Sequence, residues 1–214
     1  MINGIVFDMD GLMFDTERIA VQAYDYAGEK MGFGKTGYMV MKTLGINKKG
    51  SHEIWAKEFG DRFNSADLEK YSLEYFDDFY KNNKVPVKKG LYDLLDYLRE
   101  NNYKMAVASS SSQKSVIHHL KDAGIYEYFS VIVCGDMIEK SKPDPEIYLR
   151  ACELLEEDPS NCIALEDSRN GILAATSAGC KTIMIPDLWQ GDEEIDGKLF
   201  NKVESLDQVI KILE

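Results

Sequence analysis

Positive charge is scarce in this 214-residue chain: 25 Lys and Arg face 37 Asp and Glu, a formal net charge of −12. A nucleic-acid binder needs a basic face to displace counterions, so that class is excluded, and docking on anionic lipid is excluded with it. Long apolar runs are missing too. None approaches the roughly 18 residues needed to span a bilayer. The apolar run at the N-terminus lacks a basic stretch before it and is broken by Asp8 and Asp10, unlike a signal peptide. A cytoplasmic, soluble protein is expected. Cysteine is sparse: Cys134, Cys152, Cys162 and Cys180 show no C-x-x-C spacing, so buried free thiols are expected in place of disulfides or a zinc site. Internal repeats and low-complexity tracts are not seen. What is present is a core. With 44% hydrophobic and 11% aromatic residues, intrinsic disorder is excluded. At about 150 residues per domain, the length suggests one domain or one with a sizeable insertion, and a monomer is the default expectation.

Ile2 to Phe7 is a short apolar run ending in an acidic turn, as a buried parallel strand would. From Thr16 to about Asn82 helical spacing takes over. Ile19, Ala20, Ala23, Tyr24, Ala27 and Met31 mark a first helix over 16–31. Further helices are expected near Ser51–Phe59 and Ser65–Tyr80. After Val85-Pro86 and Gly90, helices and strands alternate. Helices are predicted over Leu91–Glu100, Val116–Ala123, Pro145–Leu155, Gly171–Ala178 and Leu206–Leu213. The strands between them are Lys104–Ala108, Val131–Cys134, Cys162–Leu165 and Lys181–Ile185. This alternation implies a doubly wound, Rossmann-like parallel α/β sheet with helices on both faces. A small all-helical domain over residues 15–83 would be inserted after the first strand, with 1–14 and 84–214 as the α/β core.

Open α/β sheets bind ligands beyond the carboxyl ends of their strands. The polar residues there are Asp8 and Asp10, Ser109 to Ser112, Glu166 and Asp167, with Lys142 before the helix at Pro145. Read singly, each has a plain structural explanation. Asp8-Met9-Asp10-Gly11 is an acidic turn; its glycine stands at the wrong position for a calcium loop and no glutamate closes it. The serines read as a solvated capping loop, Glu166-Asp167-Ser168 as a helix cap, and Lys142 as a surface residue. Together, in this order at one rim, they offer carboxylates, hydroxyls and one ammonium.

In this order the motifs resemble the haloacid dehalogenase superfamily of aspartate-dependent phosphotransferases. Asp8-Met9-Asp10-Gly11 matches its first motif, Ser109 its second, Lys142 in Ser-Lys-Pro-Asp-Pro its third and Glu166-Asp167-Ser168 its fourth. The helical block matches the cap inserted after the first strand. Asp15-Thr16-Glu17 and the cap position resemble the β-phosphoglucomutase and sugar-phosphate phosphatase branch. The resemblance implies Asp8 as the nucleophile that forms an aspartyl phosphate. Asp10 would act as general acid to the leaving oxygen, then as general base to water. Mg²⁺ would be held by Asp8, Asp167 and the backbone carbonyl of Asp10, with Glu166 a direct or water-mediated ligand. Ser109, Lys142 and backbone N–H groups at Ser110 and Asp10–Gly11 would hold the phosphate. Dehalogenating members lack the second aspartate, so phosphoryl transfer is expected.

Substrate choice would lie in the cap. No acidic residue stands between Glu29 and Glu53, while Lys30, Lys35, Lys42, Lys48, Lys49 and His52 do. A solvated face explains them; so would contact with a substrate phosphate, since Lys48 or Lys49 falls where mutases carry a phosphate-gripping arginine. Thr16, Ser111 and Gln113 are further candidate substrate contacts. Mutases of this branch carry a histidine four residues after Thr16, whereas this chain has Ala20. The expected activity is therefore a Mg²⁺-dependent phosphatase acting on small phosphorylated metabolites such as sugar phosphates. The alternative is a β-phosphoglucomutase-type isomerase of hexose 1- and 6-phosphates. A signalling receiver domain uses similar groups but is about half this length, with its aspartate on a later strand. A non-catalytic binding protein is disfavoured because no catalytic position is missing. His118 and His119 are expected to serve packing or surface roles.

Overall fold

The computed structural model describes residues 2–214. Its centre is a six-stranded, all-parallel sheet in the order β3-β2-β1-β4-β5-β6. The strands are β1 (Gly4–Phe7), β2 (Lys104–Ser109), β3 (Val131–Cys134), β4 (Cys162–Glu166), β5 (Lys181–Met184) and β6 (Asn201–Lys202). Successive strand residues face opposite sides of a sheet, so each central strand here feeds two cores. Ile5 and Phe7 of β1 join Leu94, Leu98, Val116 and Leu120 on one face. Val6, between them, joins Ile147, Ala151, Ala174 and Ala175 on the other. The first face is covered by α5 (Leu91–Glu100), α6 (Gln113–Asp122) and α10 (Ile210–Leu213), the second by α7 (Glu146–Leu155) and α8 (Arg169–Ala178). Burial on both faces is why the strands read as continuous apolar runs.

Between β1 and α5 lie four helices: α1 (Thr16–Lys30), α2 (Met39–Thr43), α3 (Lys48–Phe59) and α4 (Ser65–Tyr80). They enclose a cluster of their own, built from Ala27, Met39, Trp55 and Leu68. Trp55 is fully buried and stands edge-on to Tyr24, with Phe59 and Phe63 on its flanks. Phe14, Asp15 and Val87 tie the two ends of this segment together: Phe14 bridges to Val87, and the Asp15 N–H donates to the Pro86 carbonyl.

Several elements differ from the sequence reading. The helix expected from Ser51 begins at Lys48, because the Asn47 side chain accepts from the Gly50 N–H and caps it there. Ser112 does the same for α6, accepting from the Ser115 N–H and starting that helix at Gln113. Ser168 caps α8, which begins at Arg169 in place of Gly171. The C-terminal helix is divided, with a 3₁₀ turn over Leu206–Val209 before α10. Three short elements had no legible period: α2, α9 (Glu193–Asp196) and the exposed edge strand β6. All four cysteines are free and buried, as their apolar settings predict.

The chain runs from β1 outward through β2 and β3, then crosses back to β4 on the far side of β1. The strand order therefore reverses between β1 and β4, and a crevice opens at such a reversal. Register aligns what lines it. Phe7 pairs with Val107 on one side and Leu165 on the other, so Asp8, Ala108 and Glu166 stand level with one another at the carboxyl rim of the sheet.

Candidate active site

Asp8 leaves β1 with its N–H donated to the Leu165 carbonyl, 3.0 Å away. Its carboxylate Oδ1 accepts from Lys142 Nζ at 2.5 Å. The same ammonium donates to Glu166 Oε1 at 2.7 Å, and Tyr148 Oη donates to that oxygen at 2.6 Å. Lys142 and Glu166 are essentially inaccessible, and Asp8 nearly so. Burial opposes the charge on Lys142, but the two facing carboxylates outweigh it and raise its pKa. Burial also pushes Asp8 up to about 8, with the nearby Glu166 and Asp10 adding to the rise and Lys142 opposing it. The ammonium, which read alone suggests a surface loop and by resemblance a phosphate-binding group, is thus the most deeply buried cation of the site.

Glu166 has little capacity left. Its Oε2 accepts from the backbone N–H groups of Asp167 and Ser168 and from the Ser168 hydroxyl. A Cβ on Gly171 would lie 1.8 Å from Glu166 Oε1, so this turn of α8 leaves room for the carboxylate only as glycine. Asp167 is the opposite case. It is 1% exposed, yet neither carboxylate oxygen has a hydrogen-bond partner among the described residues. Burial, and then the neighbouring carboxylates of Glu17, Asp8 and Glu166, raise its pKa well above the usual range. Oxygens of Asp8, Glu166 and Asp167 lie within 4.8 Å of one another. Orphaned, mutually repelling carboxylates of this kind fit a hard divalent cation with oxygen ligands.

Asp10 is only partly buried, and hydroxyls hold both its oxygens. Thr16 Oγ1 donates to Oδ1 at 2.7 Å, Ser111 Oγ to Oδ2 at 2.7 Å, and Ser109 Oγ more weakly to Oδ2 at 3.4 Å. Thr16 and Ser111, candidate substrate contacts from the sequence, both donate to Asp10 here. Ser109, buried at the end of β2, also accepts the Ser111 N–H. Gly11, in the left-handed region at φ 81°, completes the β1 turn. A Cβ there would meet Asp167 Oδ2 at 2.3 Å, which is why the Asp10–Gly11 backbone can pass so close to the acidic cluster.

The helical segment leans onto this rim. Ser110 Oγ donates to the Gly45 carbonyl at 2.8 Å, and Asn170 Nδ2 donates to the Leu44 carbonyl at 2.9 Å. Between segment and rim lies a cavity of about 710 Å³, lined in part by Asn47, Lys48, Lys49, His52, Ser110 and Asp136. Lys49 opens onto it, whereas Lys48 is paired with Glu69 at 2.7 Å. Gln113 stands apart from the other predicted contacts: it is exposed, and its backbone N–H donates to Asp136. His119 packs between Phe14 and Tyr80, as a packing histidine would.

Three residues escaped the sequence reading. Glu17 and Asp187 bring oxygens within 4.8 Å of Asp167, and Tyr148 holds Glu166. Asp187 follows β5, so extending the strand-end rule to the fifth strand would have found it. Glu17 stands in the Asp15-Thr16-Glu17 motif that resembles the β-phosphoglucomutase branch, but nothing in its spacing assigns it a contact with Asp167. Tyr148 carried no signal beyond the apolar spacing of its helix.

A phosphorylated carbohydrates phosphatase from Thermotoga maritima is 30% identical over 186 residues, covering 85% of this chain and 84% of that protein. The structure of CbbY from Rhodobacter sphaeroides with xylulose-(1,5)bisphosphate superposes with a TM-score of 0.82 at 27% identity, over 97% of this chain and 96% of that one. β-Phosphoglucomutase from Clostridium difficile gives 0.82 at 26% identity, over 98% and 93%. The profile of the haloacid dehalogenase-like hydrolases matches residues 5–185, and the chain belongs to that family.

Proposed function

We propose that this hydrolase is a Mg²⁺-dependent phosphatase of small phosphomonoesters, sugar phosphates above all. The observation that carries the reading is the buried Asp8–Lys142–Glu166 assembly beside the unpartnered oxygens of Asp167. The metal would be held by Asp8, Asp167 and the Asp10 backbone carbonyl. Glu166, with both oxygens engaged, would reach it through water. Bound there, Mg²⁺ would offset the repulsion between a carboxylate nucleophile and a phosphoryl dianion.

The protein's own groups divide the remaining work. The Asp8 carboxylate attacks phosphorus in line; its new O–P bond forms as the ester O–P bond breaks. Lys142 fixes the attacking carboxylate and adds positive charge beside the transferring group. Ser109, the Ser110 N–H and the Asp10–Gly11 backbone hold the equatorial oxygens. Asp10 gives its proton to the leaving alcohol oxygen, then takes one from the water that cleaves the aspartyl phosphate. Thr16 and Ser111 hold that carboxylate in place for both transfers. Residues 15–83 serve as a cap over the 1–14 and 84–214 core, with Lys49 and the cavity beneath it facing the ester's organic part.

The similarity to β-phosphoglucomutase supports a second reading, isomerisation, against which Ala20 stands in place of the mutase histidine. One screen separates them. Purified protein with Mg²⁺ is incubated with phosphorylated metabolites, including β-glucose 1-phosphate with a bisphosphate activator, and free phosphate and isomer are both measured. Phosphate release abolished by EDTA is the expected result. Glucose 6-phosphate without phosphate release would favour the mutase, and no turnover of any ester would overturn both.

A further inference from the structure

The acidic cluster extends further than the proposed nucleophile requires. Asp167 belongs to two groups of three carboxylates whose oxygens lie within 4.8 Å of one another, one with Asp8 and Glu166, the other with Glu17 and Asp187. In the second group, four buried oxygens have no hydrogen-bond partner among the described residues: both of Asp167, Oε2 of Glu17 and Oδ2 of Asp187. Glu17 and Asp187 are 7% and 8% exposed. Buried polar atoms are almost always satisfied, so these point to something that donates to them. The glycine at position 11 makes the convergence possible, since a Cβ there would lie 2.3 Å from Asp167 Oδ2 and 2.9 Å from the Glu17 carboxyl carbon.

Two arrangements would satisfy the oxygens: a second bare cation, or water ligands of the cation on Asp167. Charge decides between them. Asp187 Oδ1 already accepts from Lys88 Nζ and Arg18 Nη1, each at 2.6 Å, and two positive groups beside the second cluster oppose a further dication. Water brings donors without net charge. Mg²⁺ sheds its waters reluctantly and keeps several of them in protein sites, and hydrogen bonds to an ionised acceptor are the stronger kind. Resting on the Mg²⁺ site proposed above, we infer that Glu17, backed by Asp187, accepts hydrogen bonds from water ligands of that ion. Glu17 is then a positioning residue that sets metal affinity without touching the phosphate.

Calorimetric titration of chelator-treated protein with MgCl₂ tests this, comparing wild type with Glu17→Gln. Loss of an outer-shell partner is expected to weaken Mg²⁺ binding about 10–100-fold. Equal affinities would overturn the inference and leave the phosphatase reading standing; absence of Mg²⁺ binding by the wild type would overturn both. Two ions per wild-type chain would replace it with the second-cation arrangement. Thermal melting isolates a purely structural role. In EDTA, Glu17→Gln removes a carboxylate from among others and is expected to melt no lower than wild type, while gaining less from saturating Mg²⁺. A variant that melts lower in EDTA and gains as much from Mg²⁺ would overturn the inference. Glu17→Ala repeats the comparison with the acceptor deleted. Failure of both variants to fold would make Glu17 a folding residue, which also overturns it.

Discussion

Lys142 and Lys48 are both lysines that meet carboxylates, yet their surroundings differ in kind. Lys142 is 1% exposed and fixed between Asp8 and Glu166, with Tyr148 completing the set. The Lys48 side chain is 67% exposed and meets Glu69 at the surface of the helical segment. Breaking a buried pair by removing one partner costs about 3–5 kcal/mol, because a charge is left stranded. An exposed pair contributes about 0–1 kcal/mol. The sheet rim therefore holds its polar groups in one arrangement, while the segment above holds its own loosely. Such a division suits chemistry that must be fixed and selectivity that must adapt.

The largest effect should come from the rim. Asp8→Asn is expected to lower phosphate release by more than about 10³-fold, while circular dichroism and melting show an intact fold. An active Asp8→Asn enzyme would remove the nucleophile assignment and, with it, the contrast between the two regions. Lys142→Met should follow, losing turnover and about 3–5 kcal/mol in urea denaturation. A loss as small as that from Lys48→Met would mean that burial does not distinguish the two lysines.

A smaller, graded effect concerns pH. Burial pushes Asp8 up to about 8 and Glu17 up to about 9, against ordinary values of 3.8 and 4.5. Over that window the folded protein keeps protons that the unfolded chain has released, so its stability falls as pH rises from about 4 towards 9. Urea denaturation in EDTA at about pH 5 and pH 9 should show the decline, and excess Mg²⁺ should flatten it. A stability that rises over the same range in EDTA would reverse the sign and refute the burial argument. The mildest prediction lies in the helical segment. Lys49→Ala should raise KM for sugar phosphates by less than about 10-fold and leave hydrolysis of a small aryl phosphate unchanged. A large fall in kcat on both substrates would place Lys49 with the rim.

The sequence carried the rim well because its residues follow strands, and strand ends in a parallel sheet can be listed before any coordinates exist. Asp8, Ser109, Glu166 and Asp167 were legible for that reason, as were the five longer strands and the main helices. Burial was harder to read. Lys142-Pro143 read alone looks like an exposed loop; the resemblance places its ammonium at the site, but its complete burial between Asp8 and Glu166 comes from the three-dimensional path from β3 to α7. Thr16 and Ser111 show the same limit at closer range. Both stand out in the sequence as candidate substrate contacts, but that each hydroxyl reaches the Asp10 carboxylate depends on a few ångströms that spacing does not encode. Helix starts moved by two or three residues wherever Asn47, Ser112 or Ser168 took the cap, a choice made by local hydrogen bonding and not by periodicity.

The seam between the two regions is tied through main-chain oxygens on one side: Ser110 and Asn170 of the rim donate to the carbonyls of Gly45 and Leu44. A carbonyl is present whatever side chain its residue bears. Ile46, Lys48 and Lys49 can therefore be exchanged without breaking that clasp, while Asn47 also caps α3, and the neighbouring cavity can be reshaped with the helical segment still seated on the rim. In evolutionary terms the latch is decoupled from the lock. Changes in a few residues of the helical segment would alter the cavity and leave the buried rim as it is.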